Sequence, residues 1–302
     1  MYLFQKIEED AVRHEDARKY IGDFLLLEKG NVSQYSMQQI AEKTFTSKTT
    51  LFRYAKNLGY SGWKEFLQDF LEEVHYTEHH YSKVDPNLPF MPKDTIPDII
   101  EKITTIQTES LRETADQMDV ASLKLAAERI LQARRYIVLF GISPNNLLGA
   151  ILKRKFASIG ILMEVALTDE SGTYASAMKE GDCGIILSYS GNNEEREPMR
   201  FVKALKEQKV NLIGITGGGK NFLREEIDCI LTISSRERLY SKISNFTTEE
   251  SIMHIFNLLY AVCFSKNFEE SYQHKVVTSK KFENRRNASL INMQEGNFEE
   301  SN

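Results

Sequence analysis

A chain of 302 residues with 41% hydrophobic content is long enough for two domains, each with its own packed core. Its formal net charge of -5 confines any nucleic-acid contact to a local basic patch. No apolar run approaches the roughly 20 residues of a membrane-spanning helix, and the N-terminus lacks a signal-peptide pattern, so a cytoplasmic protein without membrane contact is expected.

In chain order, the first amphipathic segment carries Ala17, Tyr20, Ile21, Phe24, Leu25 and Leu27 at helical spacing. Ser36 is a good N-cap for a short helix to about Lys43, in which Met37, Ile40 and Ala41 form the apolar face. Thr44, Phe45 and Thr46 interrupt the pattern, and Ser47 caps a second helix whose face is Leu51, Tyr54, Ala55 and Leu58. Gly59 supplies the stop. Ser47, Lys48, Thr49, Phe52, Arg53 and Lys56 are left as the candidate DNA-reading surface of a helix-turn-helix. Lys and Arg can reach phosphates or guanine edges, and Thr and Phe can contact thymine methyls. Between Glu42 and Glu65 the chain carries Lys43, Lys48, Arg53, Lys56 and Lys64 and no acid. The alternative is an ordinary two-helix unit with a solvated basic face.

The next helical run, Gly62 to Val74, spaces Trp63, Phe66, Leu67, Phe70 and Leu71 on one side. Residues 1–75 are therefore assigned to an all-helical domain and 76–93 to a linker, since Pro86, Pro89, Pro92 and Pro97 interrupt helix and favour extended chain. His75 and His79, with His80 beside them, could share a metal at i, i+4 spacing, but no Cys or motif acid supports it, and a polar helix end is expected. No metal and no cofactor are expected anywhere in the chain.

From residue 94 the periodicity alternates. Helices at Ile96 to Met118 and Val120 to Ala133 precede strand-like runs at Tyr136 to Gly141, Leu162 to Leu167, Gly184 to Leu187, Leu212 to Ile215 and Ile230 to Ile233. Helical stretches lie at Asn145 to Ser158, Ser171 to Lys179, Glu194 to Glu207 and Asn221 to Glu226, and a long helix at Glu249 to Phe268. The whole is thus an α+β two-domain chain: an N-terminal all-α domain, then over 94–282 an α/β three-layer, doubly wound parallel sheet with ligands at the carboxyl ends of its strands. The tail, 283–302, is rich in Asn, Ser, Gln and Glu and is expected to be loose. Cys183, Cys229 and Cys263 sit in apolar surroundings without a C-x-x-C pair and read as buried small hydrophobes.

Two strand ends, the one after Leu187 and the one at Gly141, carry candidate ligand chemistry. The strand through Leu187 runs into Ser188, Tyr189, Ser190, Gly191, Asn192 and Asn193, where hydroxyl and backbone N–H donors at a helix start would suit a phosphate. The bland reading is a Ser/Gly turn that caps a helix beginning at Glu194. A third loop, Thr216-Gly217-Gly218-Gly219-Lys220, lacks the spacing of a nucleotide phosphate loop because Asn221 follows the lysine, and reads as a tight strand-to-helix turn near the crevice.

The helix-turn-helix closely resembles that of the RpiR/MurR family of bacterial transcription regulators. The resemblance rests on Ile40-Ala41-Glu42-Lys43, the Ser47-initiated second helix and the ending Gly59-Tyr60-Ser61-Gly62-Trp63-Lys64-Glu65-Phe66. That family usually has glycine where Phe45 stands, which implies a strained residue or a reshaped turn. The second domain resembles the sugar-isomerase (SIS) module usually joined to it. Ser188, Ser190, Gly191 and Glu195 match its Ser-x-Ser-Gly-x-Thr-x-Glu signature, with Asn193 at the Thr position. Its first loop, commonly Gly-x-Gly-x-Ser, is here Gly141-Ile142-Ser143-Pro144-Asn145, where Ser143 or Asn145 would have to compensate.

The resemblance implies a transcriptional regulator of sugar-metabolism genes that binds double-stranded DNA and is controlled by a phosphosugar held by Ser143, Asn145, Ser188, Ser190, Gly191 and Asn193. It also implies a homodimer or higher homo-oligomer, as paired half-sites would require. The competing class is a sugar-phosphate isomerase or lyase with an accessory helical domain. Its candidate bases are Glu195, Glu249, Glu250 and His254, which no spacing pairs convincingly, so a non-enzyme is expected.

Overall fold

The computed structural model describes residues 3–282 and 288–290. Five helices and a 3₁₀ turn at Lys29–Gln34 form the N-terminal bundle: α1 (Leu3–Arg13), α2 (Ala17–Glu28), α3 (Met37–Lys43), α4 (Lys48–Asn57) and α5 (Trp63–His80). The starts of α2, α3 and α4 follow from short polar side chains. Asp16 accepts from Arg18 N before α2, Ser36 and Gln39 form a reciprocal capping box on α3, and Ser47 accepts from Thr50 N before α4. The core gathers on Phe66, which is fully buried with Tyr54 edge-on at 5.9 Å, Trp63 at 5.1 Å and Phe70 at 6.2 Å.

Helix α1 is absent from the sequence reading, although Leu3, Ile7 and Ala11 recur every four residues and are all buried. Its first amides are satisfied from a distance: the Glu73 carboxylate of α5 accepts from Leu3 N at 2.5 Å and Phe4 N at 3.0 Å. Burial pushes the pKa of Glu73 up, against those two amides. Helix α5 runs through 76–80, which the prolines further on had led us to assign to the linker. A proline constrains itself, its predecessor and the carbonyl four residues back, so Pro86 reaches no further than Ser82 and leaves 76–80 helical. The side chains of His79 and His80 lie outside the described residues, and no cluster of three His, Cys, Asp or Glu suited to a metal occurs among those described.

Beyond the bundle, residues 81–95 cross to the second unit, where α6 (Ile96–Asp116) and α7 (Val120–Leu131) lead into β1 (Ile137–Phe140), α8 (Asn145–Ala157), β2 (Glu164–Ala166), α9 (Ser171–Ala177) and β3 (Cys183–Ser188). Then come α10 (Val202–Glu207), β4 (Asn211–Gly217), α11 (Phe222–Glu226), β5 (Ile230–Ile233), α12 (Phe246–Lys266), α13 (Phe268–Tyr272), a π turn at Gln273–Val277 and α14 (Thr278–Phe282). The sheet is wholly parallel in the order β2-β1-β3-β4-β5. Its strands alternate between two cores, as a sheet covered on both faces must. Leu139, Ile185 and Ile213 pack with Ile255, Phe256 and Leu259 of α12, whereas Val138, Phe140 and Ile186 pack with Val202 and Leu205 of α10. Cys183, Cys229 and Cys263 are buried free thiols, the latter two pushed by burial up to about 11 and about 12.

One expected helix is displaced. In place of a helix from Glu194, a 3₁₀ turn at Met199–Phe201 leads into α10, because Pro198 lacks an N–H and holds Glu197 out of helical geometry. The expected loose tail, 283–302, lies outside the described residues apart from 288–290. No helix among the described residues is long and apolar enough to cross a membrane.

At the amino-terminal edge of the sheet, Asp182 is a buried hub. Its carboxylate accepts from Arg135 Nη2 at 2.7 Å, Lys179 N at 2.9 Å and Tyr136 N at 3.2 Å. Burial alone would raise its pKa, but Arg135 and the two amides outweigh it and hold the group below the ordinary carboxylate range. A depressed folded-state pKa stabilises above the unfolded value, and that contribution fades as pH falls through the folded value. Asp182→Asn is therefore expected to lower stability at pH 7 by about 1–3 kcal/mol and to flatten the loss of stability below pH about 4. Urea unfolding across pH checks both.

Candidate functional site

The exposed face of α4 is built as the sequence reading required. Leu51, Tyr54 and Ala55 turn into the bundle core, leaving Lys48, Thr49, Phe52, Arg53 and Lys56 exposed, with the capping Ser47 at their head. Lys56 Nζ lies 5.7 Å from the Phe52 ring centroid, and that ring packs so closely on Gly62 that a Cβ there would sit 3.0 Å from it. The basic groups therefore spread over a surface whose apolar centre is held in place. In the preceding turn Phe45 has φ 54, the left-handed region natural to glycine, and its ring is 91% exposed. Of the two outcomes foreseen for this residue, the structure adopts the strained one.

The second site lies at the carboxyl ends of the strands. Ser188 pairs with Thr216 across β3 and β4, and the loop that follows is sewn to its neighbour: Gly217 N donates to Tyr189 O at 2.8 Å and Leu223 N to Gly191 O at 3.1 Å. Asn221 donates to Thr216 Oγ1 and Gly217 O, each at 3.3 Å, and caps α11 through Arg224 N. Tyr189 spans to the loop after β5, where its hydroxyl meets Ser235 O at 3.1 Å and Glu237 O at 2.8 Å. Burial pushes that phenol up to about 12, so it remains a donor.

The proposed phosphate-holding residues have unequal places in this frame. Ser188 is buried, and its Oγ accepts from Gly191 N at 3.3 Å, as a turn-forming serine does. Gly191, at φ 61, is pressed so tightly that a Cβ would lie 2.3 Å from Thr216 Oγ1. Asn193 is exposed with φ 69, and no helix starts beside it to add a dipole. Ser143 and Asn145 lie at the head of α8, on the loop after β1, which packs on β3 through Gly141 against Leu187 O. Asn146 beside them buries an amide oxygen that has no partner among the described residues.

Only Ser190 of that set lines a cavity of about 510 Å³ over the loops after β3, β4 and β5. Its other polar lining was missed in the sequence. Asn192, Arg236 and Arg238 face it from the strand ends, and Glu113 from α6, with its pKa raised by burial against a hydrogen bond from Tyr81. The Arg236-Glu237-Arg238 run at the end of β5 was the available signal, since ligands gather at the carboxyl ends of parallel strands. Glu237 is no free acid: it accepts from Thr247 N at 2.6 Å, Thr247 Oγ1 at 2.9 Å and Thr248 Oγ1 at 2.7 Å, closing the start of α12. The bases considered for an enzyme are dispersed. Glu195 is exposed in the loop before α10, Glu250 accepts from Gln107 Nε2 at 3.1 Å, and Glu249 and His254 lie along α12.

Two family models match the chain: the helix-turn-helix domain of the rpiR family over residues 1–74 and the SIS domain over 130–256. An uncharacterized HTH-type transcriptional regulator of Clostridium perfringens is 22% identical over 279 residues, covering 92% of this chain and 98% of that relative. Among solved structures, the Vibrio vulnificus NanR protein complexed with ManNAc-6P superposes with a TM-score of 0.55 at 18% identity, covering 92% of this chain and 97% of that one. A putative sugar-phosphate isomerase from Listeria monocytogenes matches with a TM-score of 0.54 at 18% identity, covering 62% of this chain and 98% of that one. At these identities the structural likenesses carry the fold alone.

The left-handed backbone at Phe45 makes a separate prediction. A side chain there costs roughly 1–2 kcal/mol, while glycine gives back about 0.5–1 kcal/mol in unfolded-state entropy. Phe45→Gly, which removes an exposed ring and no core contact, is expected to raise stability by about 0.5 kcal/mol, read as a higher urea midpoint at unchanged slope.

Proposed function

Because the chain belongs to the rpiR family of helix-turn-helix transcriptional regulators, with a SIS domain following its DNA-binding domain, we propose that it regulates sugar-metabolism genes under the control of a phosphosugar effector. The observation that carries this reading is the pairing, in one chain, of an exposed basic helix on a capped helix-turn-helix with a cavity at the carboxyl ends of a parallel sheet. Ser47, Lys48, Thr49, Phe52, Arg53 and Lys56 are the proposed DNA contacts. Ser190, with Ser188, Gly191 and Asn193 shaping its loop and Ser143 and Asn145 on the neighbouring loop, is the proposed centre of effector binding. NanR, whose structure holds ManNAc-6P, supports a phosphosugar as the ligand class.

The protein acts as a cytoplasmic sensor and not as a catalyst in this reading. Isomerisation needs a base positioned at the sugar, whereas Glu237 is committed to a helix start and Glu195, Glu249, Glu250 and His254 are dispersed. A homodimer would let two copies of α4 read paired half-sites. The helical unit, the segment that crosses from it and the SIS unit are proposed to act as separate bodies whose relative arrangement the effector biases, since a ligand with equal affinity for two states shifts neither.

Thermal-shift screening against hexose, pentose and amino-sugar phosphates, followed by DNA binding with any hit, tests the whole reading, because a ligand of the folded state raises apparent stability by mass action. Turnover of a phosphosugar by the purified protein would instead favour an isomerase. Arg53→Ala is expected to weaken operator binding by about 1–3 kcal/mol with unchanged circular dichroism. Unchanged affinity in a gel-shift titration would take Arg53 off the reading face. The Ser188→Ala, Ser190→Ala double variant is expected to lose phosphosugar-dependent stabilisation and keep ligand-free DNA binding. Calorimetry that finds ligand binding intact, with only about 1 kcal/mol of stability lost, would reduce the loop to a structural turn.

A further inference from the structure

The cavity over the loops after β3, β4 and β5 does not belong to the SIS domain alone. Its opposite wall is the DNA-binding domain: Phe4 and Glu8 of α1, and Glu73 and Thr77 of α5. The two walls are held together beside it. Glu9 Oε1 accepts from Lys220 N at 2.8 Å, on the glycine-rich loop read from the sequence as a tight strand-to-helix turn near the crevice. Only glycine permits that approach, since a Cβ on Gly219 would lie 2.1 Å from the same carboxylate oxygen. A second tie joins Tyr76 of α5 to Asp116 at the end of α6. The loop bearing the two arginines is itself fixed from the interdomain segment, where buried Asn87 accepts from Arg238 N at 2.6 Å and from Ile243 N at 3.1 Å through its backbone carbonyl.

The polar groups of the cavity sort by what their own fold already uses. Glu73 is consumed by the amides of α1, and the Thr77 hydroxyl donates to Glu73 O at 2.7 Å. Arg236 pairs with Glu109 at 2.5 Å and stacks over the Tyr81 ring at 4.1 Å. Among the described residues this leaves the Ser190 hydroxyl, the Asn192 amide and the Arg238 guanidinium as uncommitted donors on the SIS side, and the Glu8 carboxylate as an uncommitted acceptor on the DNA-binding side. Donors on one wall suit a phosphate, with arginine able to grip it by two bonds. A carboxylate on the other suits sugar hydroxyls or an ammonium group. A volume of about 510 Å³ falls within the usual range of small-molecule sites.

We infer that the DNA-binding domain supplies part of the effector site, so that a phosphorylated sugar is bound between the domains, its phosphate toward Ser190 and Arg238 and its hydroxyl or amino groups toward Glu8. The inference rests on the phosphosugar reading above and adds to it how ligand binding reaches the DNA-binding helix. A ligand that touches both walls binds the docked arrangement better than the undocked one and shifts the population toward it. Rigid connection then carries the bias to α4, since Glu73 pins α1 to α5 and both helices pack on the core that supports α4.

The test uses the full chain, the best binder from a panel of hexose, pentose and amino-sugar phosphates, and inorganic phosphate as control. Glu8→Ala removes the far acceptor, and Glu9→Lys sets a cation against Lys220, Arg224 and Arg13, undocking the domains while each keeps its core. Titration calorimetry is expected to find binding weakened at least fivefold in both variants, as in Ser190→Ala and Arg238→Ala, with native circular dichroism. In the wild type the ligand, and not inorganic phosphate, is expected to slow proteolysis between residues 81 and 95, and Glu9→Lys to abolish that protection. If Glu8→Ala and Glu9→Lys bind as wild type does while Ser190→Ala or Arg238→Ala binds weakly, the interdomain site is wrong and the phosphosugar reading stands. Failure of every panel member to bind the wild type overturns both.

Discussion

Gly191 is the point on which the candidate effector site turns. Its positive φ and missing side chain let the loop after β3 fold down onto Thr216 and Asn221, where any Cβ would collide. From that contact the rest follows in order. Asn221 is free to cap α11 and hold Gly217 O, Tyr189 is aimed at the loop after β5, and Ser190 lines the crevice with no hydrogen-bond partner for its hydroxyl among the described residues. A larger residue at 191 would lift the loop from β4 and break this sequence at its first step.

Pre-organisation of this kind lowers the ordering cost of any ligand bound at this edge. The loops at the carboxyl edge are tied by backbone and side-chain hydrogen bonds among themselves, so ligand binding need not order them first. The ties between the helical unit and the sheet unit include one carboxylate on a glycine-rich loop and one tyrosine on an aspartate. An interface beside a well-formed cavity is the combination in which a small ligand can carry a large share of the energy that sets domain arrangement.

The candidate DNA-reading face of α4 is built on an equally fixed frame. Caps at Ser36 and Ser47 and the aromatic cluster around Phe66 fix α3 and α4, so the side chains on the free face of α4 lose little further order on meeting a duplex. Phe45 is the exception. It holds a conformation that its own residue type disfavours, in the turn that sets the angle between these helices, and the fold tolerates it because the ring points into solvent.

Local chemistry determined what could be read from the sequence. Serines before apolar periodic runs placed α3 and α4, alternation between short apolar runs and helical periods placed the parallel sheet, and the basic run between Glu42 and Glu65 marked the α4 face. Those signals lie within one element or its immediate flank. Where the reading failed, the deciding interaction came from far along the chain or from one overlooked residue. Pro198 displaced the helix expected at Glu194, and α1 went unseen although its amides are satisfied by Glu73 seventy residues away. The candidate cavity was legible only in part: the Ser188 to Asn193 loop was visible as a motif, but the commitment of Glu237 to a helix start and the placing of Glu8 and Arg238 in the wall of one cavity were not. Which polar groups remain free for a ligand depends on which are consumed by contacts between distant segments, and only the tertiary structure decides that.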